Sequence, residues 1–424
     1  MRIRDPIHGT LMVSDAEKAV IDSRFFQRLR HVRQLGFGEL AFPGATHTRH
    51  AHSLGAMHVA SKLFEAVSAR SGLAEPYASR FKAGVRMAVL CHDVGHMPLS
   101  HASESIAPKR ATLKLPQWVD AGGDEQASHE DFTAKVLLDS SLTQELAKAL
   151  ETSGLDPRQV ASLVVGKEPP GGSAYVENGR DWTPLLRSIV SGELDADRMD
   201  YLLRDSFYTG VQYGRYDLDW IAQNLVAAEK DGEVYLALAK TAAFAFEDFL
   251  LSRFHMFLSV YFHHTSVSFD HMLRRYYEES PGEFEVPSDP ERFLFCDDVQ
   301  LLSVLRSSKN RWAERIVARR GFKRVAEFTE RDKGYDLAEL HGALAQAGIE
   351  HFSVESRGVL SKYFEEGERI PLYVSDKSTG RLTDVAEYTP LFQRYASAVR
   401  LSRVYVRPDQ SIQAAPIVAR LTHA

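Results

Sequence analysis

The stretch Ala88-Val-Leu-Cys-His-Asp-Val-Gly-His96 ends an apolar run with a histidine and an aspartate side by side. An imidazole and a carboxylate are costly to bury at such a position unless they are paired or bind a metal ion. Both are ligands for divalent metals, but a protein site needs more than two neighbouring residues to hold one. The stretch therefore predicts that His92 and Asp93 belong to a metal site whose other ligands lie elsewhere in the chain.

Candidate partners for this pair are concentrated in a few short segments. Histidines stand close together before the pair and again after it, and an acidic cluster follows about a hundred residues later. The candidates are His47, His50, His52, His96, His101, His129 and the carboxylates of Glu193-Leu-Asp-Ala-Asp-Arg-Met-Asp-Tyr201. Nitrogen and oxygen ligands favour Fe, Mn, Zn, Co or Mg over a thiolate-seeking metal. Spacing alone does not choose between His50 and His52.

Composition limits the class of protein. The 424 residues suffice for two or three domains or one large core, and 44% hydrophobic with 25% charged residues is typical of a soluble globular protein. A net charge of -6 argues against a dedicated nucleic-acid binder, although a local basic pocket for phosphates is compatible with it. The two cysteines, Cys91 and Cys296, cannot build a disulfide framework. With no signal-peptide pattern and no membrane-spanning apolar run, we expect a cytoplasmic protein without a membrane partner.

Hydrophobic periodicity predicts a mainly α fold with a small β-hairpin and a C-terminal α+β portion. Residues 1–280 form the larger predicted domain, and 281–424 the smaller one, after the Pro/Gly-rich segment that begins at Ser280. The predicted helices cover 20–34, 53–67, 81–94, 197–208 and 241–278, with further helices at 300–306 and 337–347. The predicted hairpin covers 225–237 around Asp231-Gly232, and strands are expected at 370–374 and 403–406. Residues 107–127 and 167–182 are expected to be loops or insertions.

Nine segments occur in an order that is similar to the HD-domain phosphohydrolases. They are Arg4-Asp-Pro-Ile-His-Gly9, Phe26-Gln-Arg-Leu-Arg30, Gln34-Leu-Gly36, Phe42-Pro-Gly-Ala45, Arg49-His-Ala-His-Ser-Leu-Gly55, His92-Asp-Val-Gly-His96, Ser100-His101, Ser128-His-Glu130 and Asp195-Ala-Asp-Arg-Met-Asp-Tyr201. Within that superfamily, residues 4–275 resemble the deoxynucleoside triphosphate (dNTP) triphosphohydrolases, which include bacterial dGTPases and the animal sterile-alpha-motif/HD dNTPase. The resemblance implies an HD-domain helical fold for residues 1–280.

The resemblance implies a complete set of metal ligands: His52, His92, Asp93 and Asp197. His52 rather than His50 is chosen because it aligns with the family histidine directly before Ser-Leu-Gly. The expected cofactor is one divalent transition metal (Fe, Mn, Zn or Co), with Mg or Mn accompanying the substrate phosphates.

The resemblance also implies the reaction and the residues that assist it. A dNTP would be hydrolysed in one step to a deoxynucleoside and inorganic triphosphate, with metal-activated water attacking the α-phosphorus. His101 is expected to be the general acid for the departing 5′-oxygen, because an imidazole titrates near neutral pH. His96, His129 and Glu104 are expected to support it.

Substrate contacts carry over in the same way. Phosphates are expected to meet Arg49, Arg198 and Arg253, whose charge stabilises the transition state. The sugar and base are expected to meet Gln34, Leu35, Tyr201, Asp205 and Tyr261. Tyr201 would face the C2′ edge of the sugar, so discrimination against ribonucleotides is expected.

Regulation and alternative functions remain open on the sequence. Asp22, Gln27 and Arg30 match an effector site for a nucleotide, but the basic residue expected ahead of Asp5 falls on Met1. Relatives assemble as oligomers, so a homo-oligomer is expected. Two alternatives are a different HD phosphohydrolase, such as a nucleotide monophosphatase or a phosphodiesterase, and a module that binds nucleotides or single-stranded nucleic acid without turnover.

Overall fold

The computed structural model describes residues 1–120, 123–329, 332, 336–358, 370–391 and 399–422. This part of the chain is mainly α-helical with small sheets, which confirms the predicted fold class. No helix among the described residues is long and apolar enough to cross a membrane.

The first half of the chain contains the helices that carry most of the predicted site. They are α1 (Asp15–Ile21), α2 (Arg24–Arg28), α3 (Arg49–Ser71), α4 (Tyr77–Cys91), α5 (Arg110–Leu113), α6 (His129–Leu138), α7 (Ser141–Leu150), α8 (Pro157–Val165), α9 (Thr183–Ser191) and α10 (Ala196–Thr209). Short 3-10 turns occur at Leu29–His31, Gly36–Leu40, Ser100–Ile106 and Glu151–Ser153. Helix α3 packs against both α4 and α10, so the ends of three helices meet.

The second half continues with shorter helices. They are α11 (Leu218–Gln223), α12 (Ala243–Met256), α13 (His264–Glu279), α14 (Pro290–Phe293), α15 (Asp298–Ser307), α16 (Arg311–Val317), α17 (Leu337–Gln346), α18 (Val385–Tyr388) and α19 (Ser411–Thr422). Short 3-10 turns lie at Lys240–Ala242 and Pro408–Gln410. The helices expected at 300–306 and 337–347 correspond to α15 and α17.

Three small sheets complete the described fold. The strands are β1 (Arg2–Asp5), β2 (Gly9–Met12), β3 (Val176–Glu177), β4 (Arg180–Asp181), β5 (Leu225–Lys230), β6 (Glu233–Ala239), β7 (Lys323–Thr329), β8 (His351–Gly358), β9 (Tyr373–Asp376), β10 (Arg381–Asp384) and β11 (Val399–Val406). β1 pairs with β2, β11 lies between β7 and β8, and β6 pairs in parallel with both β4 and β9. The predicted hairpin is β5–β6, and Asp231 and Gly232 both take positive φ, as its tight turn requires.

Capping side chains place the helix starts that matter for function. The Ser128 hydroxyl and the Asp131 carboxylate form a reciprocal capping box at the start of α6, which begins with His129. The Asp195 carboxylate accepts the backbone N–H of Arg198 at 2.7 Å and caps α10. This cap puts Asp197 in the first turn of α10.

The expected helix over 20–34 is wrong, because α1 ends at Ile21 and α2 begins at Arg24. The Ser23 hydroxyl accepts the backbone N–H of Phe26 at 3.3 Å, so a new helix starts there. Helix α2 is short and passes into the 3-10 turn Leu29–His31.

The single long helix expected over 241–278 is also wrong. A π-helical turn at Phe257–Tyr261 follows α12, and His263 is extended with ψ of 129°. The imidazole of His263 then caps α13 by accepting the N–H of Thr265 at 3.3 Å. The break carries Tyr261 to the predicted substrate residue Asp205.

Other boundaries shift by a few residues. The helix expected over 53–67 lies within α3, which starts earlier, and the one expected over 81–94 ends at Cys91, which leaves His92 and Asp93 just beyond it. The strand expected at 370–374 is found as β9, and 403–406 belongs to the longer β11. The loop at 107–127 includes α5, and that at 167–182 includes β3 and β4; residues 121 and 122 lie outside the described part.

The two predicted domains share packing across residue 280. Strand β9 lies beside β6, and a second hydrophobic cluster joins Phe37, Met97 and Phe132 to Phe293 and Leu301. The division at residue 280 therefore stays a prediction. Contacts from beyond it reach the segment that carries the predicted catalytic histidines.

Candidate metal and catalytic site

The ends of α3, α4 and α10 bring the four predicted metal ligands together. His52 Nε2 lies 2.9 Å from Asp197 Oδ1 and 3.7 Å from Asp93 Oδ2. His92 Nε2 lies 3.3 Å from Asp93 Oδ1 and 3.5 Å from the same Asp197 oxygen. His52, His92 and Asp197 thus place ligand atoms within 4.8 Å of one another, and Asp93 lies beside both imidazoles.

Hydrogen bonds at the far ring nitrogens fix how the two imidazoles are presented. His52 Nδ1 lies 2.8 Å from Asp200 Oδ2, and His92 Nδ1 lies 2.6 Å from the carbonyl oxygen of Val89. Each Nδ1 therefore donates a proton, and each Nε2 keeps its lone pair when the ring is neutral. Both Nε2 atoms are buried without a hydrogen-bond partner. Lone pairs turned toward carboxylate oxygens repel each other unless a cation lies between them, so the donor set fits a divalent metal.

The electrostatics of the site also demand positive charge. Burial acts to lower the pKa of His52, but the carboxylates of Asp197, Asp200 and Asp93 outweigh it and raise that pKa to about 10. Burial acts to raise the pKa of Asp93, but Arg49 and the imidazoles hold it well below its usual value. Either a proton or a metal ion would compensate the negative charge of these carboxylates.

We expect the affinity of the site for a divalent metal to rise with pH between about pH 6 and pH 9. The metal must displace the proton that the raised pKa of His52 retains over this range. About one proton should leave per metal bound, and the apparent affinity should rise about tenfold per pH unit. Calorimetric titration with Mn²⁺ in two buffers of different ionisation enthalpy measures both quantities. A pH-independent affinity without proton release would contradict the charged metal-free state.

A buried network behind His52 was missed on the sequence. Asp200 accepts from His52, from His8 Nε2 at 2.7 Å and from Arg204 Nε at 2.8 Å. Arg204 in turn donates to Asp5 at 2.9 Å. A Cβ at Gly55 would stand 2.0 Å from an Asp200 oxygen, so only glycine leaves room for this carboxylate. Asp200 follows Asp197 by one helical turn, which was the signal available.

Replacing Asp200 with asparagine is expected to weaken metal binding about 10- to 100-fold. The amide cannot accept from His52, His8 and Arg204 together, so the His52 ring loses its fixed orientation. Metal titration followed by calorimetry measures the change. Asp217→Asn is the control, because Asp217 only caps α11 and asparagine is an equally good cap. Equal metal affinity in both variants would contradict an orienting role for Asp200.

The four predicted acid–base residues form a second cluster beside the metal ligands. Glu104 Oε1 lies 3.1 Å from His101 Nδ1 and 2.7 Å from His129 Nδ1. The rings of His96 and His129 stack at 3.9 Å, and His96 Nε2 lies 3.2 Å from Asp93 Oδ1. Burial acts to raise the pKa of Glu104, but the two imidazoles lower it overall, which keeps its carboxylate charged. His101 is 64% exposed at its side chain and faces outward from this cluster.

Gly95 allows the two clusters to touch. A Cβ there would stand 2.2 Å from the backbone nitrogen of Thr133 and 2.3 Å from the carbonyl oxygen of His129. Any side chain would push the segment after α4 away from α6. The glycine therefore brings His96 against His129.

The three arginines predicted to contact phosphates are buried. Arg49 lies beside Asp93, whereas Arg198 and Arg253 lie near Tyr201. Arg49 Nη1 lies 2.7 Å from Asp93 Oδ2. Arg198 pairs with Asp195 at 3.0 Å, and Arg253 lies 3.6 Å from Glu193. Burial raises the pKa of Tyr201 to about 12 against the opposing charges of Arg253 and Arg198, so both arginines lie near that ring. Arg253 Nε and Nη1 are buried without a hydrogen-bond partner.

The predicted sugar residues are connected through Asp205. Its carboxylate accepts from the Tyr261 hydroxyl at 2.9 Å and lies 2.7 Å from His47 Nε2. The Tyr201 ring meets Tyr261 edge-on at 5.9 Å and lies 6.4 Å from the His52 ring. His47 as a partner of Asp205 was not foreseen.

The remaining predicted residues differ in their surroundings. Gln34 is buried, and its Oε1 has no hydrogen-bond partner, whereas Leu35 packs against the main hydrophobic core. His50 lies off the metal site with its ring 5.0 Å from Phe26.

The predicted effector residues lie around the α1–α2 turn. Asp22 pairs with Lys18 at 2.6 Å, and Arg30 donates to Gln27 at 2.7 Å. Asp22 and Arg24 line an open surface cavity of about 650 Å³. Its occupation by a nucleotide stays a prediction.

Comparison with known proteins finds two matching family models and several similar structures. A model of the HD domain matches residues 49–204, and a model of the HD associated region matches residues 219–350. A hypothetical protein from Aquifex aeolicus has a crystal structure with a TM-score of 0.71 and 27% identity, over 99% of each chain. A Bacteroides thetaiotaomicron phosphohydrolase has a TM-score of 0.69 and 22% identity, over 96% of this chain and 99% of its own, and shares the fold. The predicted resemblance to the HD-domain phosphohydrolases is confirmed.

The relatives found by sequence include uncharacterised proteins and dNTP triphosphohydrolases. An uncharacterised Methanocaldococcus jannaschii protein is 33% identical over 77% of this chain and 60% of its own length. The uncharacterised Bacillus subtilis protein YwfO is 27% identical over 96% of this chain and 92% of its own. Human deoxynucleoside triphosphate triphosphohydrolase SAMHD1 is 32% identical over 50% of this chain and 33% of its own. The chain thus spans less than two thirds of the archaeal and human relatives, and the predicted resemblance to the dNTPase branch is confirmed.

Proposed function

We propose that this chain is a metal-dependent phosphohydrolase that converts dNTPs to a deoxynucleoside and inorganic triphosphate. The carrying observation is the contact between the two clusters: Asp93 lies beside the predicted metal ligand His92 and also meets His96, which stacks on His129. A metal ion held by the predicted ligands would therefore lie beside the candidate proton donors. The resemblance to SAMHD1 supports the substrate class.

A divalent metal at the His52, His92, Asp93 and Asp197 site would supply electrophilic activation of water and of the phosphoryl group. The chain's own contribution begins with charge: Arg49, Arg198 and Arg253 offset the negative charge of the triphosphate. Mg or Mn would accompany the phosphates.

His101 completes the reaction as the general acid. Glu104 accepts its Nδ1–H, so the proton on Nε2 of the charged ring is the one available for donation. The oxygen of water bonds to the α-phosphorus and one proton of that water passes to solvent, while the bond from phosphorus to the 5′-oxygen breaks and the His101 proton moves to that oxygen. The products are a neutral deoxynucleoside and triphosphate.

Tyr201 supports a preference for deoxyribose. Its ring lies between the metal ligand His52 and Tyr261, and Tyr261 is held by Asp205. A ribose 2′-hydroxyl against this ring would have to be buried without a partner, which is unfavourable.

Incubation of the protein with each dNTP and NTP under Mn²⁺ and under Mg²⁺, with chromatography of the products, tests the proposal. We expect deoxynucleoside and triphosphate from dNTPs and much slower turnover of NTPs. Orthophosphate or a nucleoside monophosphate would indicate a different HD phosphohydrolase. Equal turnover of ATP and dATP would overturn the deoxyribose preference.

A further inference from the structure

One carboxylate from beyond residue 280 reaches the segment that carries the catalytic histidines. Asp298, at the start of α15, is 4% exposed. Its Oδ1 accepts the backbone N–H of Leu99 at 2.6 Å, and its Oδ2 accepts that of Arg33 at 3.0 Å. Leu99 lies two residues before His101, and Arg33 directly precedes Gln34. One side chain therefore joins the acid–base segment to the predicted sugar-binding segment.

The backbone at this junction is in a conformation that needs support. Leu99 and Ser100 both have positive φ, 53° and 57°, in the left-handed region that residues with a Cβ rarely adopt. Two such residues in succession are strained and persist only where surrounding contacts hold them. The bond from Asp298 to the Leu99 amide is such a contact. His101 takes its direction from this turn.

Side-chain hydrogen bonds connect the Leu99–Ser100 turn to the predicted metal ligands. The Ser100 hydroxyl donates to the carbonyl oxygen of Arg33 at 2.7 Å and accepts from Arg49 Nε at 2.8 Å. Arg49 then pairs with Asp93. At Gly36 a Cβ would stand 2.9 Å from the Leu99 carbonyl oxygen, so the two segments are in close contact.

A second contact, made through Arg28, connects residues 293–296 to the backbone of His96. Arg28 donates to the carbonyl oxygens of His96 at 2.7 Å and Cys296 at 3.0 Å, and its guanidinium lies 4.1 Å from the Phe293 ring. Asp298 thus contacts the histidine segment directly at Leu99, and Arg28 links Cys296 to His96 at the start of that segment.

We propose that Asp298 is a positioning residue for the proposed reaction: it holds the Leu99–Ser100 turn so that His101 and Gln34 face one substrate. The catalytic part of this inference rests on the proposed function. Asparagine has nearly the same shape but only one carbonyl oxygen, and its NH₂ group would face a backbone N–H. Asp298→Asn should therefore release one of the two segments.

The test compares Asp298→Asn with Asp297→Asn. Asp297 is the adjacent carboxylate and caps α15 through the N–H of Gln300, a role that asparagine fulfils, whereas the Leu99 and Arg33 amides donate to Asp298. Hydrogen exchange at the Leu99 and Arg33 amides is measured by mass spectrometry with fragmentation. We expect exchange at least about tenfold faster at one or both amides in Asp298→Asn and unchanged in Asp297→Asn. Equal exchange in the two variants overturns the proposal.

Kinetics per metal-loaded chain supply the second readout. With metal content measured on the same samples, kcat should fall at least about tenfold in Asp298→Asn, because a small misplacement of an acid is costly. Ser100→Ala, which removes the hydroxyl of the same junction and leaves Asp298 intact, should lower kcat in the same direction. A kcat per loaded chain equal to wild type in Asp298→Asn would show a merely structural role and overturn the proposal.

The two hypotheses fail in different ways. If the wild type releases no triphosphate from any dNTP, the proposed function fails, and exchange at Leu99 and Arg33 still decides whether Asp298 holds the turn. If the wild type releases triphosphate and Asp298→Asn behaves as Asp297→Asn does, only the positioning role fails.

Discussion

Replacing His92 with alanine is expected to remove the metal and to lower turnover by at least roughly 10³-fold, since the metal supplies several kcal/mol of transition-state stabilisation. His92 follows the last residue of α4, and its Nε2 faces Asp93 and Asp197. Its loss removes one of the two nitrogen ligands, and the remaining imidazole and two carboxylates should bind a transition metal more weakly. Elemental analysis of the purified variant and a turnover assay measure the two effects.

His50→Ala is the matched control for this variant. His50 lies two residues before His52 on α3 but packs against Phe26 instead of facing the metal ligands. We expect it to lose some thermal stability, because a buried ring is removed, and to keep its metal. Full metal content and turnover in His92→Ala, or metal loss in His50→Ala alone, would refute the ligand assignment.

His101→Ala is expected to lower kcat by roughly 10²- to 10⁴-fold, the usual contribution of general acid catalysis. His101 is not one of the predicted metal ligands and is 64% exposed at its side chain, so metal content and folding should not change. Glu104→Gln should have a smaller effect in the same direction, because the amide oxygen still accepts the His101 Nδ1–H but without charge. Steady-state kinetics and elemental analysis on the same samples separate chemistry from metal binding.

Ser105→Ala serves as the control in the same 3-10 turn. Ser105 is exposed, and replacing its hydroxyl should leave kcat unchanged. A His101→Ala enzyme with kcat near that of the wild type would remove His101 from the proton-transfer role, and His129, which shares Glu104, would be the next candidate.

The metal ligands could be predicted because they lie in short segments with recognisable order. His52, His92, Asp93 and Asp197 converge in the structure. Their assignment as ligands stays a prediction that the variants above test. The β5–β6 hairpin could also be predicted from the sequence, since Asp231-Gly232 favours the turn that its strands need.

The residues that support the site could not be read from local patterns. Asp200 and His52 are 148 residues apart, and Asp298 and Leu99 are 199 residues apart. A carboxylate in a helix has no local signature of a partner so distant in sequence. The packing of α3 against α10 shows that Asp200 meets His52. The packing of α15 against the turn at Leu99 shows that Asp298 meets the Leu99 backbone.

The break near residue 260 escaped prediction for a different reason. Aromatic residues continue from α12 into α13 with a period that suits one helix, and a π-helical turn adds a residue without changing composition. Such turns occur often at functional sites, and this one presents Tyr261 to Asp205. The functional contact and the irregular backbone therefore coincide.

The proposed reaction releases triphosphate from a dNTP in a single step at the predicted metal site. Phosphorus NMR of a reaction with dGTP and Mg²⁺ in ¹⁸O-labelled water, on wild type and His92→Ala, tests it most directly. In the wild type we expect triphosphate as the only new phosphorus species, carrying one ¹⁸O at a terminal phosphate, and in His92→Ala no reaction. Pyrophosphate, orthophosphate or a nucleoside monophosphate as the first product, or equal reaction in His92→Ala, would contradict it.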